Sequence, residues 1–455
     1  MTMTNTDKSS KFFTLLAMTL GFVVVQLDVT VVNVATKTIG SSIGGSISGL
    51  QWVVNAYTLT FAAMILTAGA LGDRIGAKRV FIAGFAVFTL ASLGCGLSPN
   101  LPFLIAARAT QGIGASILVP CSLTLLNHTY TETGEKTRAI GIWAAGASMA
   151  LAAGPIAGGA LIALAGWRSI FFINLPLGIA GIWLTIKYAA ETPASRGERI
   201  DIWGQVVAVI SLTLLAASMI QGGKQGWLSP WVIGGFVAFI IFASLFIFTE
   251  LKVKNPMLPL SLFKIRTFSA TTAVGFLLNA SFYGLIFVVS LYFQQIRSYT
   301  PLKAGLSFLP MMLAVFLANL LAGRLAKSYS RKILIIAGTI IFLAGCVLLL
   351  RINAHTPFLF IAPQLIAMGF GVGLVVPPMT SAMLDSIDKN RSGLASGVLN
   401  AMRQTGSVVG VALFGSLIAN RSMFLRGIHL SLAISAVLLG VSVVVGGVIV
   451  EKSAK

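Results

Sequence analysis

Charge is scarce in this chain. Of its 455 residues only 10% are Asp, Glu, Lys or Arg, and 56% are hydrophobic. A soluble domain is about one quarter charged, so the balance excludes an ordinary soluble fold and indicates a polytopic membrane protein. Acids are the scarcest class, 12 against 32 basic residues, giving a net charge of +20. Cysteine is nearly absent too. Cys95, Cys121 and Cys346 lie inside apolar runs without CxxC or Cys/His spacing, so no disulfide framework and no metal site is expected. The three histidines, His128, His355 and His429, sit near the ends of such runs, and no cluster of an enzymatic kind surrounds them. No GxxxxGK[ST] phosphate loop occurs. An ATP-driven pump is thereby excluded as a single chain, no cofactor is expected, and an ion gradient remains as the energy source.

What the chain has is long apolar runs. At roughly 20 residues per crossing, fourteen spans are expected, the first at about 12–34 and the last at about 427–450. The first run is too long for a signal-peptide core and no small-residue cleavage site follows it, so it reads as a retained span. The basic residues test the count. Twenty-two of the 32 fall in tails and loops on the side of the termini and 8 on the opposite side, while Arg108 and Arg403 lie inside spans. This asymmetry places both termini in the cytoplasm. It also explains the basic balance without a nucleic-acid partner.

The chain repeats itself. Ala68–Gly84 aligns without gaps on Ala322–Gly338, with seven of 17 positions identical at an offset of 254. Gly112–Pro120 matches Gly369–Pro377 at 257, and Gly141, Ala145, Gly154 and Gly159 match Gly397, Ala401, Gly410 and Gly415 at 256. A near-constant offset means duplicated halves. Parallel six-span repeats with a substrate site near the midplane between them are a transporter architecture. The expected organisation is a first six-span bundle at 1–190, two additional spans with charged linkers at 191–266, and a second six-span bundle at 267–455.

Five motifs in order carry a resemblance over essentially the whole chain. They are "LDVTVVNVA" (Leu27–Ala35), "GALGDRIGAKR" (Gly69–Arg79), "RATQGIGAS" (Arg108–Ser116), the span-5 set Gly141, Gly154, Pro155, Gly158 and Gly159, and "WRSIFFINLPLG" (Trp167–Gly178). Together they resemble the major facilitator superfamily, in particular its fourteen-span drug/proton antiporter branch. Ala77 stands where the loop motif usually has a basic residue, and Ala150 where span 5 usually has glycine. The resemblance implies an all-α fold of two six-helix bundles plus two extra helices. It implies a proton-coupled exporter of hydrophobic, cationic drugs in the cytoplasmic (inner) membrane of a bacterium, working as a monomer. Its partners would be a small-molecule substrate, protons and the lipid bilayer. It also implies that the span-5 segment packs between the halves. In the loop motif, Gly69, Asp73, Arg74, Gly76, Lys78 and Arg79 would form a conformational latch in which Asp73 pairs with basic groups or a helix N-terminus. The plainer reading of that loop is a positive-inside anchor.

Deep charges are the most informative residues, because a charged side chain inside a span is costly and marks function by default. Asp28 and Arg108 each lie about six residues from the outer end of their spans, or some 9 Å below the boundary at about 1.5 Å per residue. They are within reach of one another. A neighbouring arginine favours the ionised carboxylate and dry burial favours the protonated one, so switching between the two can load and release a proton. A static ion pair, or an Asp28 reaching toward Lys37, is the structural alternative. The other acids fall in tails, loops or span ends, with Asp201 expected as an N-cap and Glu250 as interfacial, so Asp28 is expected to be the principal proton carrier. Arg403, midway along span 13, has no deep acid in its own half. It has three open fates: backbone carbonyls, Asp28 across the halves, or an anionic moiety. Gln26, Asn33, Asn55, Tyr57, Gln111, Asn279, Tyr283, Tyr292, Gln294 and Asn319 are further candidates for a substrate cavity. A dedicated exporter of one endogenous metabolite or natural product fits the same residues.

Overall fold

In the computed structural model residues 5–192, 201–253, 256–326, 328–387 and 392–449 are described, and every regular element among them is helical. The first half contains α1 (Asn5–Ile43), α2 (Ile47–Ile75), α3 (Ala77–Leu97), α4 (Leu101–Thr129), α5 (Thr133–Ala165), the short α6 (Ser169–Phe172) and α7 (Asn174–Tyr188). Two helices follow, α8 (Ile202–Gln225) and α9 (Pro230–Lys252). The second half contains α10 (Arg266–Leu291), α11 (Pro301–Ser307), α12 (Leu309–Leu325), α13 (Arg331–Leu349), α14 (Phe358–Asp385), α15 (Ser392–Leu417) and α16 (Phe424–Gly446). A π turn, Tyr292–Ile296, prolongs α10.

Local chemistry sets the boundaries. Ser46, Asn100, Asp201, Thr300 and Ser330 each cap a helix by accepting a hydrogen bond from the amide three residues on. Pro102, Pro230 and Pro301 stand in the first turn, where a missing amide hydrogen costs nothing. Gly76 joins α2 directly to α3 at φ +105°, a conformation that a side chain would strain. Its amide donates to Gly72, and Thr192 Oγ1 accepts the next amide, from Ala77, at 2.6 Å.

Among the described residues twelve helical stretches are long and apolar enough to cross a membrane, or thirteen when the two parts of α5, bent by 45°, count as one. In that tally α6–α7 and α11–α12 are single broken spans. Gly/Ser-rich α15, which carries Asn400, Arg403 and Gln404, is not among them. Apolar side chains stay outside on the periphery. On α9 only Val232 and Glu250 are buried, while Ile240, Ile241 and Leu251 are exposed, as a lipid-facing helix requires.

Within the second half α10 packs on α15, and α14 on α12 and α13; within the first, α4 packs on α2 and α3, and α1 on α5. The halves meet along α2–α15 and α5–α11, with α8 against α2 and α15. At the expected outer end the seam is hydrogen-bonded. Gln51 Nε2 donates to the Val411 and Ala412 carbonyls at 3.1 and 2.7 Å, Ser290 Oγ donates to Asn33 O at 2.7 Å, and Lys37 donates to the Gln294 carbonyl.

Two expectations need correction. The first helix does not end near residue 34 but runs to Ile43, so Asp28 lies fifteen residues from that end while Arg108 lies only seven from the start of α4. The two still come level because α1 projects roughly 12 Å beyond α4. Glu250, near the end of α9, is not open to solvent: it is 3% exposed, because the chain after α9 folds back and Leu258 N–H donates to Glu250 Oε2 at 2.7 Å.

Candidate functional site

Asp28 on α1 and Arg108 on α4 form a salt bridge and are respectively 2% and 1% exposed. Helix periodicity supplies the surroundings. Gln111 is one turn after Arg108, and its Oε1 accepts from Arg108 Nη1 at 2.6 Å. Gln111 Nε2 donates to Asp28 Oδ1 at 2.9 Å and to Ser92 Oγ on α3 at 2.8 Å. Asn174, the first residue of α7 after the α6 break, donates from Nδ2 to the same two acceptors at 3.3 Å each. Arg108 Nε donates to the Val53 carbonyl at 3.1 Å. The rings of Tyr57 and Phe171 cover the guanidinium, with centroids 4.3 and 5.8 Å from Cζ. Five helices and the α6 turn thus close over one carboxylate.

Burying two charges costs several kcal/mol each, and their attraction offsets this only when the remaining donors and acceptors are matched. Here they are matched nearly all round. The carboxylate thus has its charge and its hydrogen-bonding capacity met by Arg108, Gln111 and Asn174 within a site closed to solvent.

The structure divides the other candidates. Tyr57 and Gln111, expected along a cavity, are fully buried in the Asp28 cluster, and the Tyr57 hydroxyl donates to Val25 O at 3.3 Å. Lys37 does not reach Asp28; Gln294 takes it. Gln294 is buried, donating to Ser290 Oγ at 3.0 Å, and the Tyr292 hydroxyl is tied to the Asn353 carbonyl at 2.7 Å, so both brace the C-terminal end of α10 instead of lining a cavity. Asn33 is buried and bonded to Val29 O at 2.8 Å. Gln26 is half-buried on α1. Among the described residues Asn55 on α2, fully buried, has neither side-chain atom paired, and the buried Asn319 Oδ1 has no partner. Asn279 donates to Gly275 O at 2.8 Å one turn before half-buried Tyr283 on α10.

Span-5 glycines divide as well. A Cβ on Gly154 would overlap Thr30 of α1, one on Gly158 would stand 3.0 Å from Val31 Cγ1, and one on Gly159 would stand 2.8 Å from Leu302 Cα of α11. The Pro155 carbonyl abuts Gly305. This end of α5 is clasped between α1 and the second half. Gly141, at the other end, has nothing within 4 Å, so close packing does not extend along the whole motif. In the loop motif, Lys78 Nζ donates to the Ile186 carbonyl at 3.2 Å and Arg79 pairs with Glu191 at 3.7 Å, while Arg74 is exposed and a Cβ on Gly69 would stand 3.6 Å from Pro120 Cβ. The Asp73 side chain, the expected latch acid, lies outside the described residues.

Asn174 and Ser92 are functional-site residues that the sequence does not single out. The one signal is that Asn174 falls inside the quoted "WRSIFFINLPLG" motif.

Comparison with known proteins agrees with this architecture. A sequence model described as "Major Facilitator Superfamily" matches residues 18–411 and 271–454. The chain is similar to the methylenomycin A resistance protein of Streptomyces coelicolor, 37% identical over 95% of this chain and 90% of that one. It is similar to the multidrug resistance protein Stp of Mycobacterium tuberculosis, 35% identical over 90% of this chain and 76% of that one. Its fold is similar to the crystal structure of a bacterial homolog to the human lysosomal transporter Spinster, in an inward-facing and unoccupied conformation. That match has a TM-score of 0.67 and 14% identity, and covers 97% of this chain and 98% of that one.

Proposed function

The chain belongs to the Major Facilitator Superfamily, and from that premise we propose that it exports hydrophobic compounds from a bacterial cell in exchange for protons, by alternating access. It is a multi-pass membrane transporter, and its relatives carry drug-efflux and antibiotic-resistance names. The observation that carries the proton reading is the buried Asp28–Arg108 pair with its matched shell. Asp28 is the proton carrier in this reading, and Arg108 is the group that displaces the proton. The expected cationic substrate would have Asp28 as its counter-charge. That carboxylate is shut in by Arg108, Gln111 and Asn174, so a cation reaches it only after the pair opens.

Fourteen crossings with both termini in the cytoplasm remain the topology we favour, with α15 as the thirteenth, because the 22-to-8 split of basic residues depends on that alternation. In that orientation the hydrogen-bonded seam and the Pro155–Gly159 clasp close the outer end, and the free Gly141 end of α5 belongs to the open, inward side. Asp28 is then loaded with a proton only after the outer clasp parts.

The test is dye transport by the reconstituted protein under imposed pH gradients. Wild type is expected to follow the gradient and to show counterflow. Asp28→Asn is expected to fall to the protein-free baseline in the gradient assay while keeping counterflow. Gradient-driven transport by Asp28→Asn at the wild-type rate would sink the carrier assignment, and absence of counterflow in wild type would favour a channel. The name of the Streptomyces coelicolor relative, which specifies a single antibiotic, favours a second reading: an exporter dedicated to one compound. A substrate panel in a pump-deficient host separates the two.

A further inference from the structure

Arg403 is the charge that proton coupling leaves unused. It is the twelfth residue of the 26-residue α15 and therefore stands midway along it. A guanidinium at that depth is costly unless something neutralises or hydrates it. Three fates are open from sequence, and the structure removes two. Among the described residues Arg403 has no hydrogen bond from its side chain to a carbonyl: its Nε is buried without a partner there, and none of the ion pairs includes it. Asp28 is not its partner either, since both carboxylate oxygens are taken by Arg108, Gln111 and Asn174.

The surroundings are arranged for a ligand with an apolar body and a negative end. The Arg403 stem crosses α10 at Gly275, its Cγ 3.1 Å from where a Cβ there would stand, so the glycine makes room for it. Leu399 and Met379 close on the same point at 3.2 and 3.6 Å and give an apolar collar. Gly275, Asn279 and Tyr283 follow at i, i+4 and i+8 on one face of α10. Tyr283 is within electrostatic reach of both Arg403 and Tyr57, and its hydroxyl makes no hydrogen bond among the described residues. Tyr283 packs against the apolar cluster of the first half that includes Tyr57, at the seam of the halves. Tyr283 and Arg403 are both half-buried.

We propose that Arg403, with the Tyr283 hydroxyl beside it, binds a carboxylate on the transported compound, making the protein an exporter of hydrophobic acids. The planar fork of a guanidinium matches a carboxylate with two parallel hydrogen bonds, and in a site of low polarity such a contact is strong. The assignment of this anion as cargo rests on the export reading; the binding site itself does not.

The test uses the full-length protein in nanodiscs of neutral lipid at pH 7.5, with three fluorescent probes of one apolar body: 1-pyrenebutyrate, 1-pyrenebutanol and the matching primary amine. Wild type is expected to bind the acid at least about tenfold more tightly than the alcohol, and the amine most weakly. Arg403→Gln is expected to level the acid and the alcohol, and Arg403→Lys to keep part of the preference. Should Arg403→Gln fail to fold, the wild-type preference and Arg403→Lys still decide. Equal binding of acid and amine by wild type overturns the proposal. So does an acid preference that survives Arg403→Gln, or displacement of the acid by phosphatidylglycerol, which would assign the site to a lipid headgroup. Preferential binding of the acid without pH-driven transport supports the site and counts against the export reading alone.

Discussion

Arg108 in the first half touches a carboxylate, an amide, a backbone carbonyl and two aromatic rings, whereas Arg403 in the second half has no polar partner among the described residues. The halves are duplicates in sequence, yet their interiors have diverged. The offset that carries Gly112–Pro120 onto Gly369–Pro377 carries Arg108 onto Leu365, which is fully buried in an apolar cluster. Duplication therefore preserved helix packing and glycine spacing but not charge. One half pairs its deep arginine with a buried carboxylate; the other leaves its arginine without a polar partner among the described residues.

This asymmetry is most directly broken through stability. Arg108→Leu leaves Asp28 buried and unpaired and should cost about 3–5 kcal/mol, read as lost thermal stability of the purified protein. Arg403→Leu removes a charge that has no protein partner and should cost less than about 1 kcal/mol, or even stabilise. Adding Asp28→Leu to Arg108→Leu should recover most of the loss, because replacing both members of a buried pair with apolar groups is often neutral. Equal losses from Arg108→Leu and Arg403→Leu would erase the distinction drawn here.

A second contrast lies along α5. Gly154→Ala must displace Thr30 of α1 and should cost about 1–3 kcal/mol as overpacking, with transport reduced in step. Gly141→Ala meets open space and should stay within about 0.5 kcal/mol of wild type. Transport and thermal stability measured on both variants check this. Loss of transport in Gly141→Ala would mean that this end of α5 closes onto another helix during the cycle.

The most local effect is expected at the seam where Lys37 meets Gln294. Lys37→Met removes one charge-assisted bond to the Gln294 carbonyl and should weaken closure there by about 1–2 kcal/mol. Faster hydrogen exchange at the start of α11, without global destabilisation, is the expected readout. Unchanged exchange would leave the seam to the Gln51 and Ser290 bonds.

Some of this was legible in the chain. Asp28 and Arg108 stood out because charges inside apolar runs are rare, and one turn of helix separates Arg108 from Gln111. The Asp201 cap was equally local. Asn174 and Ser92 were not legible, because neutral polar residues in spans commonly bond their own helix, as Thr30 and Ser122 do here. Glu250 looked interfacial because it sits at a helix end; only the fold-back that brings Leu258 to it explains its burial. Lys37 lay two turns past Asp28 on the same helix, and nothing local told that Gln294 from the other half would claim it.

By itself the sequence determined the helical runs, their alternating charge, the duplication and the few residues whose chemistry is out of place in lipid. Those follow from solvation, which each segment feels alone. The tertiary structure alone decided which deep arginine is paired and which is free. That depends on how far α1 projects and how each helix is rotated about its axis, and a helix apolar on nearly every side carries no hydrophobic pattern that fixes its rotation before its neighbours do.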